Sequence, residues 1–111
     1  MNGRILVVDD ERSIRDILAQ VLGYEGYDVA TASSGGEALS SYRTRPADLV
    51  ILDVKMQGID GLDTLAQLRQ QDPEARVVMI SGHATIATAV QAVKQGAFDF
   101  LEKPLDADRL L

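Results

Sequence analysis

Five side chains that can take part in chemistry stand at or near the ends of short segments rich in apolar residues. They are three carboxylates, a hydroxyl and an amine, at Asp9, Asp10, Asp53, Ser81 and Lys103. Two like charges about 4 Å apart repel by roughly 4 kcal/mol at an effective dielectric constant of about 20, so clustered carboxylates favour a bound cation or the uptake of protons. Because the carboxylates offer only oxygen ligands, the expected ion is a hard one such as Mg²⁺.

A carboxylate beside such an ion, with a lysine and a hydroxyl nearby, is suited to receiving a phosphoryl group. The ion and the ammonium of Lys103 would neutralise the charge that builds on the transferring oxygens, and the hydroxyl of Ser81 would donate to them. The product would be an aspartyl phosphate. This chemistry requires a fold that brings all of these side chains to one place.

Apolar segments that read as strands alternate with amphipathic segments that read as helices. The predicted strands cover residues 4–8, 27–32, 49–52, 76–81 and 98–103. The first helix shows apolar residues three and four positions apart, at Ile14, Ile17, Leu18, Val21 and Leu22. Ser34 and Glu37 form a capping-box pattern at the start of the second helix. Residues 106–111, DADRLL, predict the first turn or so of a fifth helix that is truncated.

This alternation predicts an α/β fold with a doubly wound, five-stranded parallel sheet and helices on both faces. The flavodoxin-like strand order 2-1-3-4-5 is the expected arrangement, and ligands of such sheets bind at the carboxyl ends of the strands, where the order reverses. The first and third strands would be neighbours at that point. Asp9, Asp10 and Asp53 are therefore expected to converge.

Composition limits the possible classes of protein. The 111 residues predict one domain over 1–111, and the absence of cysteine excludes disulfides, thiolate metal sites and a cysteine nucleophile. Seventeen acidic against eleven basic residues give a formal charge of −6, which disfavours direct binding to nucleic acid or to anionic membranes. With no segment of membrane-spanning length or signal-peptide character, a soluble, cytoplasmic protein is expected.

The residues also match the pattern of a known family. The matching positions are Asp9-Asp10, Asp53, Ser81 and Lys103-Pro104. This set resembles the receiver domain of two-component response regulators, over essentially the whole chain. The resemblance implies that a histidine kinase is the partner and that Asp53 accepts the phosphoryl group. It also implies that the domain is no enzyme beyond catalysing its own phosphorylation and dephosphorylation.

The resemblance implies a role for each residue around Asp53. Asp10 and Asp53 would bind Mg²⁺ directly together with the backbone carbonyl of Lys55, while Asp9 would act through water. Two further residues, Ser81 and Lys103, would bind the phosphoryl oxygens. The peptide bond between Lys103 and Pro104 would be cis.

A switch and an output are implied as well. Ser81 would move toward the phosphoryl group and Phe100 would swing inward, which changes the surface of the fourth helix and fifth strand. A partner or a second copy of the chain would bind there. The segment SGHATIATAVQAVKQGAFDFLEKPL, residues 81–105, is similar to receivers of AAA+ enhancer-binding transcription activators. It implies an AAA+ and DNA-binding output domain outside this chain.

Gln57 and His83 lie in the predicted active-site loops but are not among the residues expected to carry the chemistry. Gln57 stands where members of the family usually have proline, which leaves the loop of residues 54–61 with more conformational freedom. His83, the one histidine of the chain, stands two residues after Ser81, and the resemblance implies for it only a modulating role in dephosphorylation.

Structural interpretations compete with these roles. Asp9 or Asp10 could cap the first helix, and Ser81 could cap the fourth. Lys103 alone would read as a solvated surface residue. For the whole chain, the main alternative is a protein-interaction domain that works without phosphorylation, although an intact Asp53 with an intact Lys103 argues against it.

Other functional classes fit the first strand less well. A haloacid-dehalogenase-like phosphatase would carry its nucleophile on that strand with a second aspartate two residues later, whereas this chain has Asp9-Asp10-Glu11. A nucleotide- or flavin-binding module would need a phosphate-binding loop at the same place. The residues that follow Val8 are acidic and would repel a phosphate.

Overall fold

Strands and helices alternate through residues 3–56, 60–82 and 86–102, which the computed structural model describes. The strands are β1 (Arg4–Val8), β2 (Asp28–Ala32), β3 (Leu49–Asp53), β4 (Val77–Ser81) and β5 (Asp99–Glu102). The helices are α1 (Arg12–Tyr24), α2 (Gly35–Thr44), α3 (Gly61–Gln71) and α4 (Ile86–Lys94). Each of these strands lies within its predicted segment or extends it by one residue. The predicted fifth helix, residues 106–111, lies outside the described residues.

The strands form one parallel sheet in the order β2-β1-β3-β4-β5, so the predicted doubly wound fold is confirmed. The order reverses between β1 and β3, where Val8 lies opposite Leu52. The next residue of each strand segment is an aspartate, Asp9 and Asp53. The register alone therefore brings these two side by side at the carboxyl edge of the sheet.

The unbroken apolar run of β3 is explained by two core layers, one on each face of the sheet. Val50 and Leu52 belong to the layer that α2, α3 and α4 cover, and Ile51 belongs to the layer that α1 covers. Consecutive side chains of a strand point to opposite faces, so a strand buried on both faces has no polar positions in alternation. Asp53 therefore ends a segment that has little contact with water.

Local capping signals set the helix starts. The Ser34 hydroxyl accepts a hydrogen bond from the Glu37 amide at 3.1 Å, as the capping box predicts. The Glu37 carboxylate accepts from the Ser33 hydroxyl at 2.9 Å. Asp60 caps α3 by accepting from the Asp63 amide at 2.9 Å. Among the described residues, no helix is long and apolar enough to cross a membrane.

A buried tyrosine ties α2 to the end of α3. The Tyr42 hydroxyl donates to the Asp72 carboxylate at 2.6 Å, and the same carboxylate accepts from the Glu74 amide at 2.9 Å. Burial, followed by the bond to Asp72, raises the pKa of Tyr42 to about 12. The same bond lowers the pKa of the Asp72 carboxyl. The pair thus stabilises the contact between two helices on one face of the sheet.

We expect a Tyr42→Phe variant to lose about 1 kcal/mol of unfolding free energy at neutral pH, because one hydrogen bond to a partly exposed carboxylate is removed. Wild-type stability should also fall as the pH rises from about 10 to about 12: the unfolded chain releases the Tyr42 proton near 10, while the folded chain holds it until about 12. Denaturant titrations of both proteins at neutral and alkaline pH measure this. If the wild type and Tyr42→Phe have the same unfolding free energy at both pH values, the hydrogen bond from Tyr42 to Asp72 does not contribute to stability.

Candidate functional site

Three carboxylates meet where β1 and β3 end. One oxygen from each of Asp9, Asp10 and Asp53 lies within 4.8 Å of the others. Asp9 is 0% exposed and Asp53 is 4% exposed, whereas Asp10 is exposed to solvent. The predicted convergence of the carboxylates is therefore confirmed. The resulting cluster is buried on the protein side and open on the side of Asp10.

The turn that follows β1 is held by bonds around Asp9. Its amide donates to the Ala32 carbonyl at 3.2 Å, and its carboxylate accepts from the Glu11 amide at 2.9 Å. The residue at the N-cap position of α1 is Glu11, and its side chain makes no capping bond. Asp9 and Asp10 thus precede the cap position, and the interpretation of either as the N-cap residue is wrong.

Arg15 belongs to the site and was not predicted. Its guanidinium donates to the backbone carbonyl of Asp9 at 2.7 Å, from a partly buried position in the first half of α1. The bond places a permanent positive charge beside an acidic cluster and fixes the turn that carries Asp9 and Asp10. The contact depends on how α1 packs against the end of β1, so the spacing of the residues along the chain gives no signal for it.

Gly61, the first residue of α3, packs against the backbone of Asp53 and Val54. The Gly61 amide donates to the Val54 carbonyl at 2.7 Å, and the Val54 amide donates to the Ile80 carbonyl at 2.9 Å. A β-carbon at Gly61 would overlap the backbone carbonyl of Asp53 and lie 2.7 Å from the Val54 α-carbon. The sequence marked Gly61 only as a loop residue, but the start of α3 approaches β3 so closely that a side chain has no room.

Two more of the predicted residues, Ser81 and Phe100, are among the described residues. Ser81 is the last residue of β4 and is 3% exposed. Whether Ser81 caps the fourth helix depends on residues 83–85, which lie outside the described residues. Phe100 lies opposite Met79 on β5 and packs, partly buried, against the core layer beneath α2, α3 and α4.

The described residues leave several predicted roles untested. Lys55 is exposed in the loop after β3, and the role of its carbonyl stays a prediction. The predictions for Gln57, His83, Lys103 and Pro104, including the cis bond, lie outside the described residues. The roles of the site residues therefore remain predictions, while the placement of Asp9, Asp10, Asp53 and Ser81 is known.

Comparison with known families settles the class of the domain. A family model described as "Response regulator receiver domain" matches residues 5–111. The chain belongs to this family. The predicted resemblance is confirmed, and the receiver fold accounts for the strand order and for the position of the acidic cluster.

Relatives of this receiver domain include regulators much longer than the chain. It is 48% identical over 109 residues to the nitrogen assimilation regulatory protein NtrX of Azorhizobium caulinodans, covering 96% of this chain and 24% of that protein. It is 45% identical over 106 residues to the transcriptional regulatory protein ZraR of Escherichia coli O157:H7, again covering 96% and 24%. The chain thus spans about a quarter of the length of these relatives.

A solved structure matches both the fold and the sequence. The crystal structure of the receiver domain of NtrX from Brucella abortus superposes with a TM-score of 0.90 at 51% identity. The match covers 96% of this chain and 90% of that one. The likeness therefore concerns one receiver domain compared with another over nearly their whole lengths.

The acidic cluster of this receiver domain could hold a metal ion. Its donors are oxygens, which suits a hard divalent cation. These oxygens lie within 4.8 Å of one another, close enough for one ion to contact more than one of them.

Proposed function

We propose that this receiver domain accepts a phosphoryl group from a histidine kinase on Asp53, with Mg²⁺ as the cofactor. The observation that carries the proposal is the position of Asp53, a nearly buried carboxylate at the point where the strand order reverses, within 4.8 Å of Asp9 and Asp10. Burial of such a cluster is costly unless cations and hydrogen bonds compensate it. Membership of the receiver family supports this role for the cluster.

In the proposed reaction, a carboxylate oxygen of Asp53 attacks the phosphorus atom of the donor. The bond between phosphorus and the donor breaks, the donor leaves with the electron pair, and an acyl phosphate remains on the protein. Asp10 and Asp53 would hold Mg²⁺ directly and Asp9 would hold it through water, and the ion would supply positive charge beside the transferring oxygens. The carbonyl of Lys55 would complete the protein ligands.

The phosphoryl oxygens would be bound on the other side of the site. Ser81, buried at the end of β4, would donate its hydroxyl to one oxygen, and the ammonium of Lys103 would pair with another. The burial of Ser81 favours this role, because a hydroxyl away from water forms a stronger hydrogen bond to an anion. The charge of the product would then be shared among the metal ion, Ser81 and Lys103.

Phosphorylation would change the face of the domain formed by α4 and β5. Movement of Ser81 toward the phosphoryl group would leave space that the partly buried Phe100 fills. The α4 side of this face already presents Val90, 46% exposed, and Val93, 62% exposed. We infer that a second copy or an output domain binds there, and that the output is an AAA+ and DNA-binding region that controls transcription.

The remaining functional inferences follow from charge and from the relatives. The formal charge of −6 makes this domain a poor ligand for nucleic acid, so contact with DNA would belong to the output region. The relatives named as regulators are about four times as long, which leaves room for such a region in proteins of this kind. We place the domain in the cytoplasm and assign it no catalysis beyond its own phosphorylation and dephosphorylation.

A protein-interaction domain that works without phosphorylation is the remaining alternative. It would need no metal ion, and the conformation of its output face would not depend on Asp53. The two proposals therefore differ in a simple property, which is whether the domain takes up a phosphoryl group from a small donor in the presence of Mg²⁺.

We expect incubation with acetyl phosphate and Mg²⁺ to add the mass of one phosphoryl group, and we expect EDTA to abolish the addition without unfolding the domain. An Asp10→Asn variant should react about 100-fold more slowly, because one ligand of the cluster loses its charge. Asp16→Asn is the matched control, since Asp16 is exposed on α1 and pairs with Arg12. Intact mass spectrometry and circular dichroism give the two readouts.

Three results would contradict the proposal. The first is an unchanged rate of phosphorylation in EDTA. The second is a normal rate in Asp10→Asn. The third is the absence of any phosphorylation of the wild-type protein, which would favour the interaction domain.

A further inference from the structure

The end of α4 is connected to the start of α3 through one side chain. Gln95, directly after α4, donates from Nε2 to the backbone carbonyl of Leu62 at 2.7 Å, in a partly buried contact. Its Oε1 accepts from Nε2 of Gln91 at 2.9 Å. The two bonds use both ends of the amide, so its orientation is defined by its partners. Glutamate or methionine at this position would lack the donor.

Gln95 binds the carbonyl of Leu62, which is the residue after Gly61. The Gly61 amide donates to the Val54 carbonyl at 2.7 Å, and its backbone lies so close to Asp53 that a β-carbon would overlap the Asp53 carbonyl. A shift of the backbone at Asp53 must therefore move Gly61 or open this contact. Leu62 follows Gly61 through a peptide bond, so a continuous physical connection leads from Asp53 to Gln95.

The chain turns sharply at the end of α4, and this turn is well anchored. Gly96 has φ +95°, its amide donates to the Val93 carbonyl at 3.0 Å, and the Ala97 amide donates to the Ala92 carbonyl at 3.0 Å. The Arg69 side chain of α3 lies against Gly96, with Nε 2.7 Å from where a β-carbon would be. This end of α4 is thus packed on α3, and a displacement of α3 would reach α4.

We propose that Gln95 is a positioning residue that couples movement of the Asp53 backbone to α4. The coupling passes through Gly61 and Leu62, and so reaches the exposed face of α4 by a path separate from Ser81 and Phe100. This inference rests on the proposed function, because it concerns the response to modification of Asp53.

The test compares Gln95→Glu with the wild type by NMR, using beryllofluoride and Mg²⁺ as the phosphoryl mimic. Gln95→Glu keeps the shape of the side chain but replaces the donor with a carboxylate that repels the Leu62 carbonyl. Gln67→Glu is the matched control, since it makes the same charge change at an exposed position of α3. Gln95→Met is a second variant that removes the donor without adding charge.

In the wild type and in Gln67→Glu, the mimic should shift the amide signals of residues 53–56 and of residues 86–95. In both Gln95 variants, the shifts at 53–56 should persist while those at 86–95 fall by roughly twofold or more. A purely structural role would lower the unfolding free energy equally with and without the mimic and leave the shift pattern unchanged.

Shifts at 86–95 that match the Gln67→Glu control in both Gln95 variants would overturn the inference while leaving the proposed function intact. Equal losses of unfolding free energy with and without the mimic would overturn it too. A wild-type protein that shows no shifts at 53–56 would contradict the proposed function itself, and the inference with it.

Discussion

An Asp53→Asn variant is expected to take up no measurable phosphoryl group from acetyl phosphate, a loss of about 100-fold or more relative to the wild type. The reason is chemical, because the amide of asparagine has no anionic oxygen to attack phosphorus. It is also a charge effect, since the cluster loses one of its three carboxylates and with it part of its attraction for Mg²⁺. Intact mass spectrometry over a time course measures the loss.

The same variant should remain folded. Replacing Asp53 with asparagine removes one of three clustered carboxylates and keeps the shape of the side chain, so circular dichroism should show an unchanged fold. Asp63→Asn, an exposed aspartate in the first turn of α3, is the control and should be phosphorylated normally. Equal phosphorylation of Asp53→Asn and the control would refute the assignment of the acceptor.

A Gly61→Ala variant should have a lower unfolding free energy and a lower rate of phosphorylation than the wild type. The added β-carbon would overlap the Asp53 carbonyl and crowd the Val54 α-carbon, and both are backbone atoms that cannot rotate away. Overpacking of this kind costs about 1 to 3 kcal/mol, and here the relief must come from moving the start of α3 or the end of β3. Because the end of β3 carries the acceptor, we expect the phosphorylation rate to fall about tenfold or more.

Gly23→Ala is the matched control for this change. It lies in α1, where a β-carbon would meet nothing within 4 Å, so alanine should leave phosphorylation unchanged and raise stability by about 0.5 to 1 kcal/mol. Denaturant titrations and the acetyl phosphate assay measure both variants. If Gly61→Ala behaves like Gly23→Ala in both assays, the close approach behind Asp53 has no functional importance.

The fold was predictable because its signals are local and agree with one another. Apolar segments such as residues 49–52 indicated strands, and their strict alternation with amphipathic helices left few possible topologies. That topology placed Asp9 next to Asp53 without any further information. Ser34 identified the start of α2 through its capping bond, which involves residues three positions apart.

The contacts that could not be predicted join residues distant in the chain or in different elements. The bond between Gln95 and Leu62 spans 33 residues, and its existence depends on how α3 and α4 pack. Arg15 reaches back to the Asp9 carbonyl across a turn whose shape the residue types do not fix. Gly61 was visible as a glycine, but its requirement comes from the distance between two backbones. Residue types reveal chemistry and periodicity, whereas these contacts depend on three-dimensional placement.

The structural interpretations of single residues also show where local rules fail. Asp9 resembled a helix cap because it lies shortly before α1, yet the N-cap position is Glu11 and the Asp9 carboxylate binds the Glu11 amide from within the preceding turn. Ser81 resembled a cap for α4, and the structure places it at the buried end of β4, at the same edge of the sheet. In both cases the functional interpretation depended on several residues meeting at one edge of the sheet.

Locating the phosphoryl group at residue level tests the central claim most directly. Sodium borohydride reduces an aspartyl phosphate to homoserine, which marks the acceptor permanently in a peptide map. After treatment with acetyl phosphate and Mg²⁺, the account predicts homoserine at position 53 and aspartate at positions 9 and 10. Homoserine at position 9 or 10, or at no position in a protein that has gained phosphoryl mass, would contradict it.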